Sequence, residues 1–241
     1  MSNRTVELAR ELRKGVVAVL SFPQIAGVTS TEDLIRRLAI PVVRGTAFAV
    51  SSDQFLTCNH VIEGITDLKN LKLAGSPDPK ASLPVVTHDV AEAKHDSHLD
   101  IALLKTERIR SEVAPITFES GQPQVGLDVL AVGYPLPEQR QPEVIESEKR
   151  INVALAVTFR AIRGIIASRM LDGFHFEIDK LLNPGQSGGP VISLETGRLV
   201  GMCQAFVSYQ RGTQVIPSDL SVCLSVEAIR NKLSEWGISV S

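Results

Sequence analysis

An all-β chain of barrels or sandwiches is what this sequence predicts, and three observations predict it. Short β-rich runs recur along most of the 241 residues, glycine and proline punctuate the gaps between them, and helical spacing is confined to the two ends.

In order, residues 6–14 (VELARELRK) are rich in helix formers and read as a short helix. Residues 16–20 (VVAVL) read as a first strand, and residues 21–41 as irregular chain with a helical turn over 32–38, opened by Ser30 or Thr31 as a cap. From residue 42 the period changes, and RGTAFAVSSDQFLTCNHVI reads as short strands around a Ser-Ser-Asp turn. Further strands are expected at 83–90 and 101–105. Residues 106–125 carry Pro115, Gly121 and Pro123 with little strand pattern, so they read as a linker between one unit over 1–118 and another over 119–241. A second set of strands is expected near 127–132, 153–159, 162–167, 174–178, 190–193, 198–206 and 220–225. The polar, proline-containing stretch 136–150 reads as a mobile loop, with the charged run 143–150 as a solvated face or a partner-binding or cleavage site. The chain closes with a helix over 226–236, where Val226, Ile229, Leu233 and Trp236 share one face.

Composition narrows the function classes. A hydrophobic content of 44% supports a sizeable core, while a net charge of −2 and a pI near 6.2 point to neither nucleic acid nor an anionic membrane as partner. No apolar run approaches the ~20 residues that span a bilayer. Cys58, Cys203 and Cys223 are too few for a disulfide framework, and the apolar run 16–20 is too short for a secretory signal, so a reducing, cytoplasmic setting is expected.

Three motifs carry chemistry. In Asn183-Pro-Gly-Gln-Ser-Gly-Gly-Pro190, glycines allow a tight turn that aims N–H groups at one point. The N–H groups of Gly185 and Ser187 could form an oxyanion hole there, with Gly188 and Gly189 leaving room for substrate beside the Ser187 hydroxyl. Thr57-Cys-Asn-His-Val-Ile62 places His60 at the end of an apolar strand, where an imidazole can act as general base and then acid. His98-Leu-Asp-Ile-Ala-Leu-Leu104 opens an apolar strand with Asp100, a carboxylate suited to orient the imidazole. Each alone has a plain alternative: a glycine turn, a satisfied histidine, a turn aspartate. Their order, His then Asp then Ser, joins them into one triad.

Alternatives stay open at this level. Asp96 or Asp89 could replace Asp100. His88, His95 and His98 have a spacing that could ligate a metal, but no set of four ligands appears, so a solvated loop is the expectation and no metal or cofactor is implied. In a strand, His98 would share a face with Asp100. Cys58 could be a thiol nucleophile but reads as a small packed residue, and Trp236 as a core anchor.

The chain resembles the chymotrypsin-fold serine peptidases, especially the bacterial Do-like (high-temperature-requirement) branch. The resemblance lies in Gly45-Thr-Ala-Phe-Ala-Val50, Leu56-Thr-Cys-Asn-His-Val61, Asp100-Ile-Ala-Leu-Leu, Val132-Gly-Tyr-Pro135, Gly185-Gln-Ser-Gly-Gly-Pro190 and Gly197-Arg-Leu-Val-Gly-Met-Cys203, over residues 42–236. It implies two six-stranded antiparallel Greek-key barrels with the triad between them, and an endopeptidase acting on protein or peptide substrates. It also implies a primary pocket shaped by Leu181, Leu182, Cys203, Gln204, Ala205 and Phe206. No charge stands at the expected pocket base, so cleavage after small or medium apolar residues is expected. Residues 1–41 include an extension that does not align with that branch, the 136–150 stretch is longer than usual there, and the branch's PDZ domain is not expected beyond the last helix. A latent form, switched on by a protein partner that orders 136–150, and a non-catalytic binding module on the same fold are the further readings.

Overall fold

The computed structural model describes residues 3–22, 42–75, 86–107, 113–135, 144–147, 150–153, 158–211 and 214–240. The helical turn expected over 32–38 lies outside them.

Twelve strands close into two antiparallel barrels of six. The first barrel holds β1 (Val16–Ser21), β2 (Val42–Ala49), β3 (Gln54–Thr57), β4 (Leu71–Gly75), β5 (Val86–Asp96) and β6 (Ile101–Thr106), in the spatial order β1-β2-β3-β6-β5-β4. The second holds β7 (Asp128–Gly133), β10 (Arg160–Arg169), β11 (His175–Ile178), β12 (Pro190–Ser193), β13 (Leu199–Arg211) and β14 (Gln214–Ser225), in the order β7-β10-β11-β14-β13-β12. Numbered along the chain within each barrel, both follow one scheme: the first three strands are neighbours and the last three return in reverse. Closure pairs every backbone edge, which is how a chain of short strands avoids exposed ladders.

Packing follows the strand pattern. All six residues of β1 are buried, as its run of β-branched side chains requires. On β7 alternate residues serve two cores: Leu130 and Val132 join the large cluster with Phe48, Phe55 and Ile101, while Val129 and Ala131 join Ile166, Phe176 and Val191 inside the second barrel. A helix at each end completes the fold. Helix α1 (Asn3–Leu12) seats Leu8 and Leu12 against the large cluster, and α2 is the single turn Asn59–Ile62. Helix α3 (Val226–Glu235) buries Val226, Ala228, Ile229 and Leu233 in that cluster and is capped by Ser225, whose hydroxyl accepts the Ala228 N–H. Trp236 ends this helix and packs against the same cluster, as its place on the apolar face predicts.

Four expectations are corrected. Strand β4, five residues with Lys72 among them, is too short an apolar run to stand out and is not among the strands expected. The stretch read as a mobile loop contains strand β8 (Val144–Ser147), paired with β9 (Arg150–Val153) in a separate two-stranded ribbon. The helix expected over 6–14 begins at Asn3 and stops at Leu12. His88 is not in a solvated loop but is buried on β5, whereas His95 and His98 are exposed.

Candidate active site

His60 stands at the start of α2, directly after β3 delivers the buried Thr57 and Cys58 to the barrel end. The chain must turn sharply there, and the Asp100 carboxylate fixes how. Asp100 Oδ1 accepts the backbone N–H of His60 at 2.9 Å, and Oδ2 lies 2.7 Å from His60 Nδ1. An ionised carboxylate only accepts, so Nδ1 carries a proton, and in the neutral ring the lone pair is then on Nε2. The Asp100 side chain is 30% exposed, because it lies in the turn between β5 and β6 and not in a strand. Its φ of +50° puts a non-glycine residue in the left-handed region, so His98 does not share a strand face with it. The alternative carboxylates are engaged elsewhere. Asp96 pairs with Lys232 at 2.8 Å and accepts the N–H groups of His98 and Leu99, and Asp89 pairs with Lys72.

The Ser187 loop is stitched to the first barrel by Thr46. The Thr46 N–H donates to the Ser187 carbonyl at 2.9 Å, and its hydroxyl donates to the Gly185 carbonyl while accepting the Tyr134 N–H, both at 2.8 Å. Gly188 sits at φ +83°, and a Cβ there would come within 2.2 Å of the Thr46 carbonyl and 2.3 Å of the Thr57 hydroxyl. A Cβ on Gly189 would meet the Val132 carbonyl at 2.3 Å. Gly188 therefore lets the Ser187 loop approach the first barrel, and Gly189 lets it lie against β7 of its own barrel; protein, and not substrate, fills the space beside both. With both carbonyls turned into protein, the N–H groups of Gly185 and Ser187 have no acceptor among the described residues.

His60 and Ser187 line one cleft of about 490 Å³. The Ser187 hydroxyl, however, donates to the Gln204 carbonyl at 3.1 Å, and no hydrogen bond joins it to His60. That carbonyl is available because Gln204 is a bulge: Cys203 pairs with Cys223 and Ala205 with Val222, leaving Gln204 without a partner in the ladder. The Gln204 side chain, buried beneath, donates to the carbonyls of Leu99 and Asp100 at 2.7 and 3.2 Å.

Leu182, Cys203, Gln204, Ala205 and Phe206 line the cleft, and among the described residues no acidic side chain does. Leu181 is not part of this wall and is exposed. Sequence reasoning missed Val42, Val43, Arg44, Asn183 and Pro184. Arg44 is the extra residue in a bulge of β2, where Val19 pairs with Gly45 and Leu20 with Val43, and its guanidinium donates to the carbonyls of Val61 and Glu63. The adjacent Pro184 and Asn183 were legible in principle, since both stand within the glycine-rich motif. Cys58 is buried, and burial, aided by the Asp100 charge, pushes its thiol well above the ordinary range, which argues against a thiolate nucleophile.

Residues 45–202 match the family described as the trypsin-like peptidase domain. The chain belongs to that family. Among its curated relatives is Protease Do-like 1, chloroplastic, of Arabidopsis thaliana, 29% identical over 208 residues that cover 85% of this chain and 42% of the relative. Another is a probable periplasmic serine endoprotease, DegP-like, of Chlamydia trachomatis, 28% identical over 79% of this chain and 34% of the relative. This family member thus spans less than half the length of these relatives. Two solved structures share its fold. The active form of the Rv3671c protease from Mycobacterium tuberculosis superposes with a TM-score of 0.62 at 17% identity, covering 96% of this chain and 85% of that one. The serine endoprotease of Yersinia pestis gives 0.63 at 18% identity, covering 98% and 67%.

Proposed function

We propose that the chain is a serine endopeptidase in which Ser187 is the nucleophile, His60 the general base and then acid, and Asp100 the residue that orients His60. The observation that carries this reading is the two-point clamp of Asp100 on His60, which engages Nδ1 and leaves Nε2 as the ring nitrogen to serve Ser187 in the cleft that both residues line. Rotation about χ1 would move the Ser187 hydroxyl from the Gln204 carbonyl toward Nε2; hydrogen bonds of this kind often tighten only when substrate binds. The nucleophile attacks the scissile carbonyl, Nε2 takes its proton, and the charge that develops on oxygen meets the free N–H groups of Gly185 and Ser187. His60 then protonates the leaving amine, and water releases the acyl group. The apolar wall of Leu182, Ala205 and Phe206, with no acidic side chain among the described lining residues, favours small or medium apolar residues before the scissile bond.

A fluorophosphonate probe tests the assignment. Labelling of the wild-type chain at Ser187, lost in Ser187→Ala, is the expected outcome, with peptide-library cleavage after apolar residues and not after Lys or Arg. Labelling that appears only with a protein partner would favour a latent, partner-activated form. Its failure under every condition would favour a binding module on the same fold.

A further inference from the structure

Cys58 takes no part in the hydrolysis proposed above, yet it lies against the two residues that orient the proton transfer. Its sulfur, a ring nitrogen of His60 and a carboxylate oxygen of Asp100 all lie within 4.8 Å of one another. No other set of three such donors converges this closely among the described residues. The thiol is fully buried and donates to the Cys203 carbonyl at 3.2 Å, while the His60 and Asp100 side chains, 43% and 30% exposed, leave the group open to solvent on their side.

We propose that Cys58, His60 and Asp100 form an inhibitory site for a thiophilic divalent cation, zinc foremost. One sulfur, one imidazole nitrogen and one carboxylate oxygen are donors of the kinds zinc takes, at about 2.3, 2.0–2.1 and 2.0–2.2 Å. A tetrahedral set with those bonds has donor–donor edges of roughly 3.4–3.6 Å. The site forms when the sulfur closes on the pair and the Nδ1–Oδ2 separation opens from its present 2.7 Å; a water fills the fourth position. The balance is simple and involves no redox change. The cation displaces the proton on His60 Nδ1, which is taken up at Nε2 as the ring changes tautomer, and the Cys58 thiol proton leaves to solvent. A dication with one thiolate and one carboxylate is neutral overall, which suits a site whose sulfur is buried. Nε2, now protonated, can no longer accept the Ser187 proton, so hydrolysis stops. This last consequence rests on the peptidase reading; the binding does not.

The test uses the reduced, metal-free full chain titrated with cobalt(II). A thiolate-to-cobalt charge-transfer band saturating at one ion per chain and displaced by zinc is expected. Both Cys58→Ser and Cys58→Ala should lose it, with circular dichroism checking that they fold, while Cys223→Ala, which removes a different buried thiol, should retain it. Peptide hydrolysis, each variant read against its own metal-free rate, should be inhibited by zinc in wild type, restored by chelator, and at least tenfold less zinc-sensitive in Cys58→Ser. No band, or a band that survives in both Cys58 variants, overturns the site. Equal zinc sensitivity in Cys58→Ser overturns its inhibitory role and leaves the peptidase standing. A Cys58-dependent band on a chain that hydrolyses nothing supports the site and overturns the peptidase reading.

Discussion

Gln204 meets the candidate active site twice, through its carbonyl at the Ser187 hydroxyl and through its amide at the Leu99 and Asp100 carbonyls. The second contact sets the geometry of the orienting carboxylate. A non-glycine residue in the left-handed region costs about 1–2 kcal/mol, and Asp100 stays there because neighbouring groups over-determine the turn. Gln204 therefore acts as a positioning residue. Gln204→Ala should lower kcat roughly 10–100-fold, the scale of a displaced catalytic group, while KM changes less than about threefold. Gln204→Glu should be worse than the alanine variant, since a carboxylate would face two carbonyl oxygens. A kcat for Gln204→Ala within about twofold of wild type would refute the role. The triad residues could be read from sequence because each stands in a short local motif and their order is diagnostic. Neither the left-handed turn at Asp100 nor the bulges at Gln204 and Arg44 could be, because pairing with a distant strand decides which residue is left without a partner.

At the level of elements, β2 of the first barrel builds much of the site in which the second barrel's Ser187 sits. Thr46 is wholly buried and satisfies a donor and an acceptor from two other segments, the Tyr134 N–H and the Gly185 carbonyl. Thr46→Val keeps the shape and removes the hydroxyl that both groups bond, so the Gly185 carbonyl loses its donor. We expect a loss of about 1–3 kcal/mol, the cost of leaving a buried polar group unsatisfied, measured as a shifted urea midpoint. Activity should fall beyond what stability explains, as the Gly185 peptide is then free to turn. Thr46→Ser, which keeps the oxygen, should restore both; a Thr46→Val protein with wild-type stability and rate would sink the proposal. Strands with β-branched, apolar patterns, such as β1, β6 and β7, were legible. The outer ends of β13 and β14 were not: the sequence reading stopped β13 at residue 206, whereas it runs to Arg211 through Ser208, Tyr209 and Gln210, which are held by ladder pairing and carry no hydrophobic pattern.

Across the whole molecule, the shared strand order of the two barrels is a repeat that the sequence itself does not display, because strand order depends on which side chains can fill a barrel and not on their identities. The barrels are also tied beside the β5–β6 turn that carries Asp100. Helix α3 leaves the second barrel at Ser225 yet buries its apolar face in the large cluster with the first, and Lys232 reaches Asp96 at the end of β5. The hydrogen bond from Lys232, with the Leu99 N–H next, holds the Asp96 carboxyl below the usual carboxylate range, and the same contact raises Lys232. A carboxyl whose pKa is depressed on folding stabilises the native state above its unfolded value of about 3.9, and that stabilisation is lost as pH falls through the folded value. Asp96→Asn should therefore unfold at lower urea than wild type at pH 7, with the gap narrowing below about pH 4 as the wild-type carboxyl takes up its proton. Lys232 also pairs with Glu235 at 2.5 Å within the helix, a contact the substitution does not touch, so the change reports on helix docking. A gap of the same size at pH 7 and pH 3 would mean that the lost contact is not ionic, and that apolar packing of Ile229 and Leu233, with the Lys94 bond to the Trp236 carbonyl, holds the helix to the first barrel.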